Sequence, residues 1–150
     1  MTKARTPVAT SSSGGDGAGK MGEGGSRQYI RLNPRVPFSD GVLVGNTLYL
    51  AGRIGLDSSG KRVPDDIEVE ARNLMESVHE VLQKAGLQMH DLVYVQVFCS
   101  DVSLWDRFNA IYSSYFKDKV PARAFVGVGR LLFDAHFELQ GIAVRSSSVS

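Results

Sequence analysis

The chain has 150 residues, of which 43% are hydrophobic and 22% are charged, and its formal net charge is +1. This length and composition suffice for one globular core and not for two, so a single domain is expected. No run of about 18 apolar residues is present, so the sequence predicts no membrane-spanning helix.

The sequence gives little indication of a metal site or of a nucleic-acid-binding surface. Cys99 is the only cysteine, and the histidines do not show the spacings of a zinc site. We therefore expect a metal-free protein of a reducing compartment, the cytoplasm, with the mitochondrial matrix as an alternative. From residue 29 onward, thirteen Lys and Arg residues stand against fourteen Asp and Glu residues. Because nucleic-acid binding depends on clustered cations, no nucleic-acid partner is expected.

The chain divides into three parts by composition. Residues 1–28 are rich in Gly and Ser and hold almost nothing large and apolar. Such a segment cannot bury enough surface to fold, so it is predicted to be a disordered tail. Residues 29–145 form the predicted domain, and 146–150 a flexible C-terminus.

The domain opens with a predicted hairpin. Two short apolar runs, 42–44 and 47–50, flank Gly45 and Asn46, which tolerate the positive φ of a two-residue turn.

A long amphipathic helix is predicted next, between Asp66 and Ala85. Its apolar residues recur every three or four positions, and glutamates including Glu70 were expected on the other, polar face. Asp66 suits the positive N-terminal end of a helix, and Gly86 suits a left-handed C-terminal cap.

After the first helix, the sequence again predicts strands and a helix in turn. Residues 92–100 read as a strand in which Cys99 is a buried structural thiol. A capping box at Ser103 predicts a second helix, and two strands, 124–128 and 136–145, follow. The order is β-β-α-β-α-β-β, an α+β domain with two helices on one face of a mixed sheet. The other face is expected to be covered by oligomerisation.

Several segments carry a resemblance to a known family. They are Pro37-Phe38-Ser39-Asp40-Gly41, Val44 to Gly52, Val95 to Phe98, Phe108 to Tyr112, Pro121 to Phe125 and Phe137 to Val144. In this order, over about residues 29–145, the chain resembles the Rid/YjgF family of enamine/imine deaminases. The resemblance implies a chorismate-mutase-like fold, a homotrimer that forms a trimeric barrel, and active-site clefts between subunits. It also implies cofactor-free hydrolysis of 2-aminoacrylate-type enamines and imines to 2-oxo acids and ammonia.

Two residues match the catalytic positions of that family. Arg123 falls on the carboxylate-binding arginine, whose planar, permanently charged fork can pair both oxygens of a carboxylate. Glu138 falls on the catalytic glutamate. Its apolar strand neighbours should desolvate it and raise its pKa toward the range useful for proton transfer, so that it can position the attacking water.

Five further positions match the substrate pocket: Phe38, Ala51, Gly52, Asn109 and Phe125. Three departures from the common pattern occur there. Phe38 replaces a tyrosine, Ala51-Gly52-Arg53 replaces Ser-Gly-Gln, and Phe125 replaces a cysteine of some members. These changes predict a more apolar pocket, with altered activity or a shift toward bulkier imines.

Two other functions are compatible with the same residues. A non-catalytic module could hold a 2-oxo acid or a similar carboxylate on Arg123 without needing Glu138 as a catalyst. Endoribonuclease activity, attributed to some relatives, would require an exposed surface of cations and stacking aromatics, which the near-neutral domain does not predict.

Overall fold

The computed structural model describes residues 25–147. Most of the predicted N-terminal tail and the last three residues lie outside this range. The strands are β1 (Arg27–Ile30), β2 (Gly41–Val44), β3 (Thr47–Ile54), β4 (Leu92–Cys99), β5 (Ala122–Gly127) and β6 (Phe137–Val144), and the helices are α1 (Ile67–Lys84) and α2 (Trp105–Ser113). The predicted α+β class, with two helices on one face of a mixed sheet, is confirmed.

One sheet contains all six strands in the order β1-β2-β3-β6-β4-β5. Only β4 and β5 pair in parallel, and the other neighbours are antiparallel. β1 was not predicted. It begins at Arg27, two residues before the expected start of the domain, and its first three residues are exposed, so it lacks the apolar alternation that identifies a strand.

The local signals at the hairpin and at α1 are confirmed. Gly45 has φ 58° in the turn between β2 and β3, and Gly86 has φ 71° directly after α1. The Asp66 carboxylate accepts hydrogen bonds from the backbone N–H groups of Glu68 and Val69, which have no partner inside the helix.

Two predictions about the helices were wrong. Glu70 is fully buried, although the periodicity put it on the polar face of α1. Ser103 does not cap α2: the N-cap residue of this helix is Leu104, which forms no side-chain cap hydrogen bond, and Asp101 caps the turn before it. Asp101 accepts hydrogen bonds from both the backbone N–H and the hydroxyl of Ser103, because a short 3-10 turn, Val102–Leu104, precedes the helix.

The core lies between the helices and one face of the sheet. Its largest fully buried apolar side chains are Phe108, Phe137, Leu48, Leu74, Met75, Leu82 and Leu139. Cys99 is buried as predicted, and its thiol contacts the carbonyl oxygen of Asp101. No helix within residues 25–147 is long and apolar enough to cross a membrane.

The opposite face of the sheet carries a continuous row of apolar side chains. Register places Tyr29, Val42, Tyr49, Ile142 and Tyr94 side by side across five strands. The three tyrosines are all exposed in the single chain. We refer to this surface as the open face.

Candidate functional site

Arg123 lies on β5, the last strand of the sheet, and points to the helix side. Its Nη2 atom donates a hydrogen bond of 2.8 Å to Oδ1 of Asn109 on α2. Its Nη1 atom is buried and has no hydrogen-bond partner within the described part of the chain. Burial lowers the pKa of Arg123 from its ordinary value. A guanidinium has so high an ordinary pKa that arginine keeps its charge in proteins.

Aromatic rings surround the guanidinium. Its central carbon lies 4.5 Å from the ring centre of Tyr112, 4.9 Å from that of Trp105 and 5.5 Å from that of Phe125. Cation–π attraction at these distances adds to the hydrogen bond in holding the orientation of the guanidinium. Arg123, Asn109, Trp105, Tyr112 and Phe125 are called the Arg123 cluster below.

The cluster contains a second polar atom without a partner. The Tyr112 hydroxyl is buried and makes no hydrogen bond to any residue from 25 to 147, and burial raises its pKa to about 12. Tyr112 and Arg123 both border a cavity of about 380 Å³ that also contains Lys117 in its wall. Buried donors without partners are unusual in folded proteins and point to an external acceptor.

Glu138 lies on β6, between Phe137 and Leu139, which are both fully buried on the helix side. Because side chains alternate along a strand, Glu138 points to the open face. Its strand partners there are Ile54 on β3 and Phe98 on β4. Burial raises the pKa of Glu138 above its ordinary value, which is the predicted direction, although Phe137 and Leu139 point to the other face and are not the groups that bury it.

Gly52 lies directly against the Glu138 carboxyl. A Cβ atom at position 52 would stand 2.2 Å from Oε1 of Glu138, so only glycine leaves room for the carboxyl in this position. A cavity of about 580 Å³ lies between Glu138 and residues Arg130 to Asp134. Glu138, Gly52 and this loop are called the Glu138 cluster.

The structure therefore brings the predicted residues together in two groups and not in one. Asn109 and Phe125 lie with Arg123, and Gly52 lies with Glu138. Arg123 and Glu138 themselves point to opposite faces of the sheet, so no cleft formed by residues 25–147 of one chain contains both.

The remaining predicted pocket residues make no specific contact with either cluster within the described residues. Phe38 is 52% exposed in the segment before β2. Ala51 is partly buried, and its backbone N–H donates to the carbonyl oxygen of Asp40. Arg53 does not add a cation to the Glu138 cluster, because it points to the helix side and is bound there by Asp40 and Ser77.

Sequence reasoning missed two features around the site. The first is that Trp105, Asn109 and Tyr112 lie on one face of α2. They follow one another at intervals of four and three residues, and this helical spacing could have identified the shared face. The second feature is the environment of Glu70. Its carboxylate accepts hydrogen bonds from the backbone N–H groups of His136 and Phe137 and contacts the His136 ring at 2.8 Å. Among residues 25–147, no three His, Cys, Asp or Glu side chains are grouped closely enough to hold a metal ion.

Comparison with known proteins agrees with this architecture. The family model described as Endoribonuclease L-PSP matches residues 29–145. A RutC family protein of Sulfurisphaera tokodaii is 39% identical over 107 residues, which are 71% of this chain and 86% of the relative. The 2-iminobutanoate/2-iminopropanoate deaminase of Mus musculus is 36% identical over 110 residues, which are 73% of this chain and 82% of that protein.

Solved structures show the same fold. RidA from an Antarctic Psychrobacter species has a TM-score of 0.74 at 25% identity, and the match covers 79% of this chain and 99% of that chain. A protein of the Rid family from Yersinia pestis has a TM-score of 0.75 at 28% identity, with 80% and 100% covered. The match over nearly the whole described domain shows that this chain belongs to the Rid/YjgF family.

Proposed function

We propose that this protein hydrolyses imines of 2-amino acids, and the enamines that tautomerise to them, to 2-oxo acids and ammonia. The observation that carries the proposal is the buried, unpaired Nη1 atom of Arg123, which is the donor that a substrate carboxylate needs. The name of the Mus musculus relative, a 2-iminobutanoate/2-iminopropanoate deaminase, supports the reaction class.

Arg123 anchors the substrate carboxylate in this proposal. Asn109 occupies Nη2, and the surrounding rings restrict rotation of the guanidinium, so Nη1 is presented in a defined direction. The Tyr112 hydroxyl, which also has no partner in the described chain, supplies a second donor at the same cavity. An ion pair formed in these desolvated surroundings is stronger than one in water.

Glu138 moves the protons. Its carboxylate takes a proton from water while the water oxygen attacks the imine carbon, and the carbon–nitrogen double bond becomes a single bond as its electron pair moves to nitrogen. Glu138 returns the proton to that nitrogen. A second transfer, from the new hydroxyl to nitrogen, releases ammonia as the carbon–oxygen double bond of the 2-oxo acid forms. The raised pKa of Glu138 brings it closer to the pH at which both steps occur.

The two clusters meet between copies of the chain in this proposal. β5 is an edge strand, so the Arg123 cluster lies at the rim of the sheet, and Glu138 points to the open face with its exposed tyrosines. A head-to-tail arrangement that closes into a ring, such as a homotrimer, brings the rim of one copy to the open face of the next. Each site then takes Arg123 from one copy and Glu138 from its neighbour.

The activity is tested by generating imines in situ with an amino-acid oxidase and following their loss. We expect the wild type to accelerate hydrolysis. Glu138→Gln should abolish turnover yet still bind pyruvate, whereas Arg123→Ala should lose pyruvate binding as well. Arg62→Ala is the matched control, since Arg62 is exposed and forms an ion pair with Asp57, away from both clusters. A wild type without effect on every imine tried would refute the proposal.

The sharing of the site between copies has its own test. The inactive variants Arg123→Ala and Glu138→Gln are unfolded together in equal amounts and refolded. Random mixing in a ring leaves about one interface in four with both groups intact, so up to roughly a quarter of the wild-type activity should return. No recovery in a correctly reassembled mixture would refute the sharing of each site between two copies.

A carboxylate-binding module without catalysis is the second candidate, because the Arg123 cluster is complete within a single chain. In that case Glu138→Gln would change neither pyruvate binding nor any imine decay. Endoribonuclease activity, which the family description names, gains no support from the near-neutral charge of the domain. RNA cleavage that persists in both Arg123→Ala and Glu138→Gln would identify a contaminant.

A further inference from the structure

The loop between β5 and β6 has an unusual backbone. Phe133 and Asp134 are consecutive non-glycine residues in the left-handed region, with φ 59° and φ 51°. Residues other than glycine are sterically strained in this region, because their Cβ atom lies too close to the backbone. They keep this conformation only where contacts with neighbouring residues stabilise it. An ion pair between Arg130 and Asp134 and a turn hydrogen bond from Ala135 N–H to the Leu132 carbonyl oxygen provide those contacts.

The strained loop exposes its largest apolar side chains. Leu132 is 73% exposed and Phe133 is 50% exposed in the single chain. Both border the cavity that contains Glu138. Strain of this kind concentrates at functional sites, and here it holds two apolar side chains beside a carboxyl group that burial has already desolvated.

Three charged residues line this cavity, Arg130, Asp134 and Glu138, and only Glu138 has no oppositely charged partner among the lining residues. Arg130 and Asp134 neutralise each other in their ion pair. An acidic substrate side chain would therefore find no free cation in the lining of this cavity, whereas an apolar side chain can contact Leu132 and Phe133. On the other half of the site, Trp105 and Phe125 pack edge to face with ring centres 4.9 Å apart and add further apolar surface.

We propose that the loop 129–134 selects the substrate side chain, with Phe133 as the specificity-determining residue, and that the preferred substrates are imines with a bulky apolar or aromatic side chain. This inference rests on the proposed deaminase function. A cavity of about 580 Å³ is larger than a three-carbon imine requires, so a small substrate leaves the Leu132 and Phe133 side chains in contact with water.

The test compares two imines generated in situ, one from phenylalanine and one from alanine. The wild type should hydrolyse the phenylalanine imine with a kcat/KM about 10-fold higher than that for the alanine imine. Phe133→Asn should reduce the ratio of the two kcat/KM values several-fold, through a larger loss on the phenylalanine imine than on the alanine imine. Asn tolerates a left-handed φ, so the loop should keep its conformation.

Phe133→Gly repeats the test with a second residue that accepts this φ, in case the Asn variant does not fold. Val69→Asn is the matched control, because Val69 is similarly exposed on α1 and borders neither cavity. An active wild type whose preference is absent, or is unchanged by both Phe133 variants, overturns this inference and leaves the deaminase function standing. A wild type that is inactive on these two imines and on every other imine tried overturns both proposals.

Discussion

Gly52 allows a substitution that separates catalysis from folding. A methyl group there would meet Oε1 of Glu138 at 2.2 Å, and that atom is the free end of a flexible side chain. Gly52→Ala should therefore displace the carboxyl with little loss of stability, about 1 kcal/mol or less. We expect kcat for imine hydrolysis to fall at least about 10-fold, since misplacement of a reacting group by about 1 Å can lower a rate by about 100-fold.

Gly55→Ala provides the contrast for that measurement. Its added methyl would stand 2.0 Å from the carbonyl oxygen of Glu70, a backbone atom of α1 that cannot move alone. This variant should lose about 3 kcal/mol of stability. Gly52→Ala with full activity and unchanged stability would show that the Glu138 carboxyl does not act from its observed position.

The pH dependence of stability provides a second prediction for a single residue. Burial raises the pKa of Glu138 above the ordinary 4.5, so the folded chain keeps this proton at a pH where the unfolded chain has lost it. The contribution of protonated Glu138 to the free energy of unfolding is therefore complete below the pKa of this group in the unfolded chain. It is lost as the pH rises through the higher pKa of Glu138 in the folded chain. Urea titrations should show Glu138→Gln gaining stability relative to wild type from about pH 4.5 upward, with a plateau above the raised pKa. Parallel pH profiles of the two proteins would contradict this.

At the scale of elements, Glu70 connects the first turns of α1 to the start of β6. Its buried carboxylate accepts two backbone N–H groups and contacts the His136 ring, and Glu138 follows two residues later. Glu70→Ala leaves these donors buried without an acceptor and should cost about 3 kcal/mol of stability in urea unfolding. Glu70→Gln keeps one carbonyl oxygen for the backbone groups and should lose clearly less. Equal losses in the two variants would mean that a single acceptor oxygen is not enough and that the charged carboxylate with both of its oxygens is required, because Gln keeps nearly the volume of Glu.

Elements defined by local signals were predicted well from the sequence. The helix α1 needed only its apolar spacing, the Asp66 cap and Gly86, which all lie within the same short stretch. Glu70 was misplaced because the partners that satisfy its carboxylate lie 66 and 67 residues away. β1 was missed because its pairing with β2 depends on backbone hydrogen bonds and not on apolar side chains.

At the scale of the whole molecule, the arrangement of the site was only partly predictable. The alternation of Phe137 and Leu139 in β6 already implies that Glu138 points away from the core. The direction of Arg123 depends on the parallel pairing of Val95 with Arg123, and hence on the order of the strands in the sheet. That order is a long-range property, so the placement of the two residues on opposite faces required the structure.

The open face carries the last prediction. Tyr49 stands near the middle of the apolar row and is 54% exposed, and its neighbours Val42 and Ile142 lie on the adjacent strands. If this face is the contact between copies, Tyr49→Asp places a charge that association would desolvate, at a cost of several kcal/mol. Sedimentation should then show dissociation to single chains, with the helix signal in circular dichroism unchanged.

Activity should disappear together with the assembly, because each proposed site needs groups from two copies. Val69→Asp is the control, since it introduces the same charge at a residue of comparable exposure on α1, away from the open face. It should leave both the assembly and the activity intact. A contrary result would be a monomeric Tyr49→Asp protein that still hydrolyses imines at the wild-type rate. One chain would then suffice for activity. Because Arg123 and Glu138 point to opposite faces of that chain, they could not act together on one substrate.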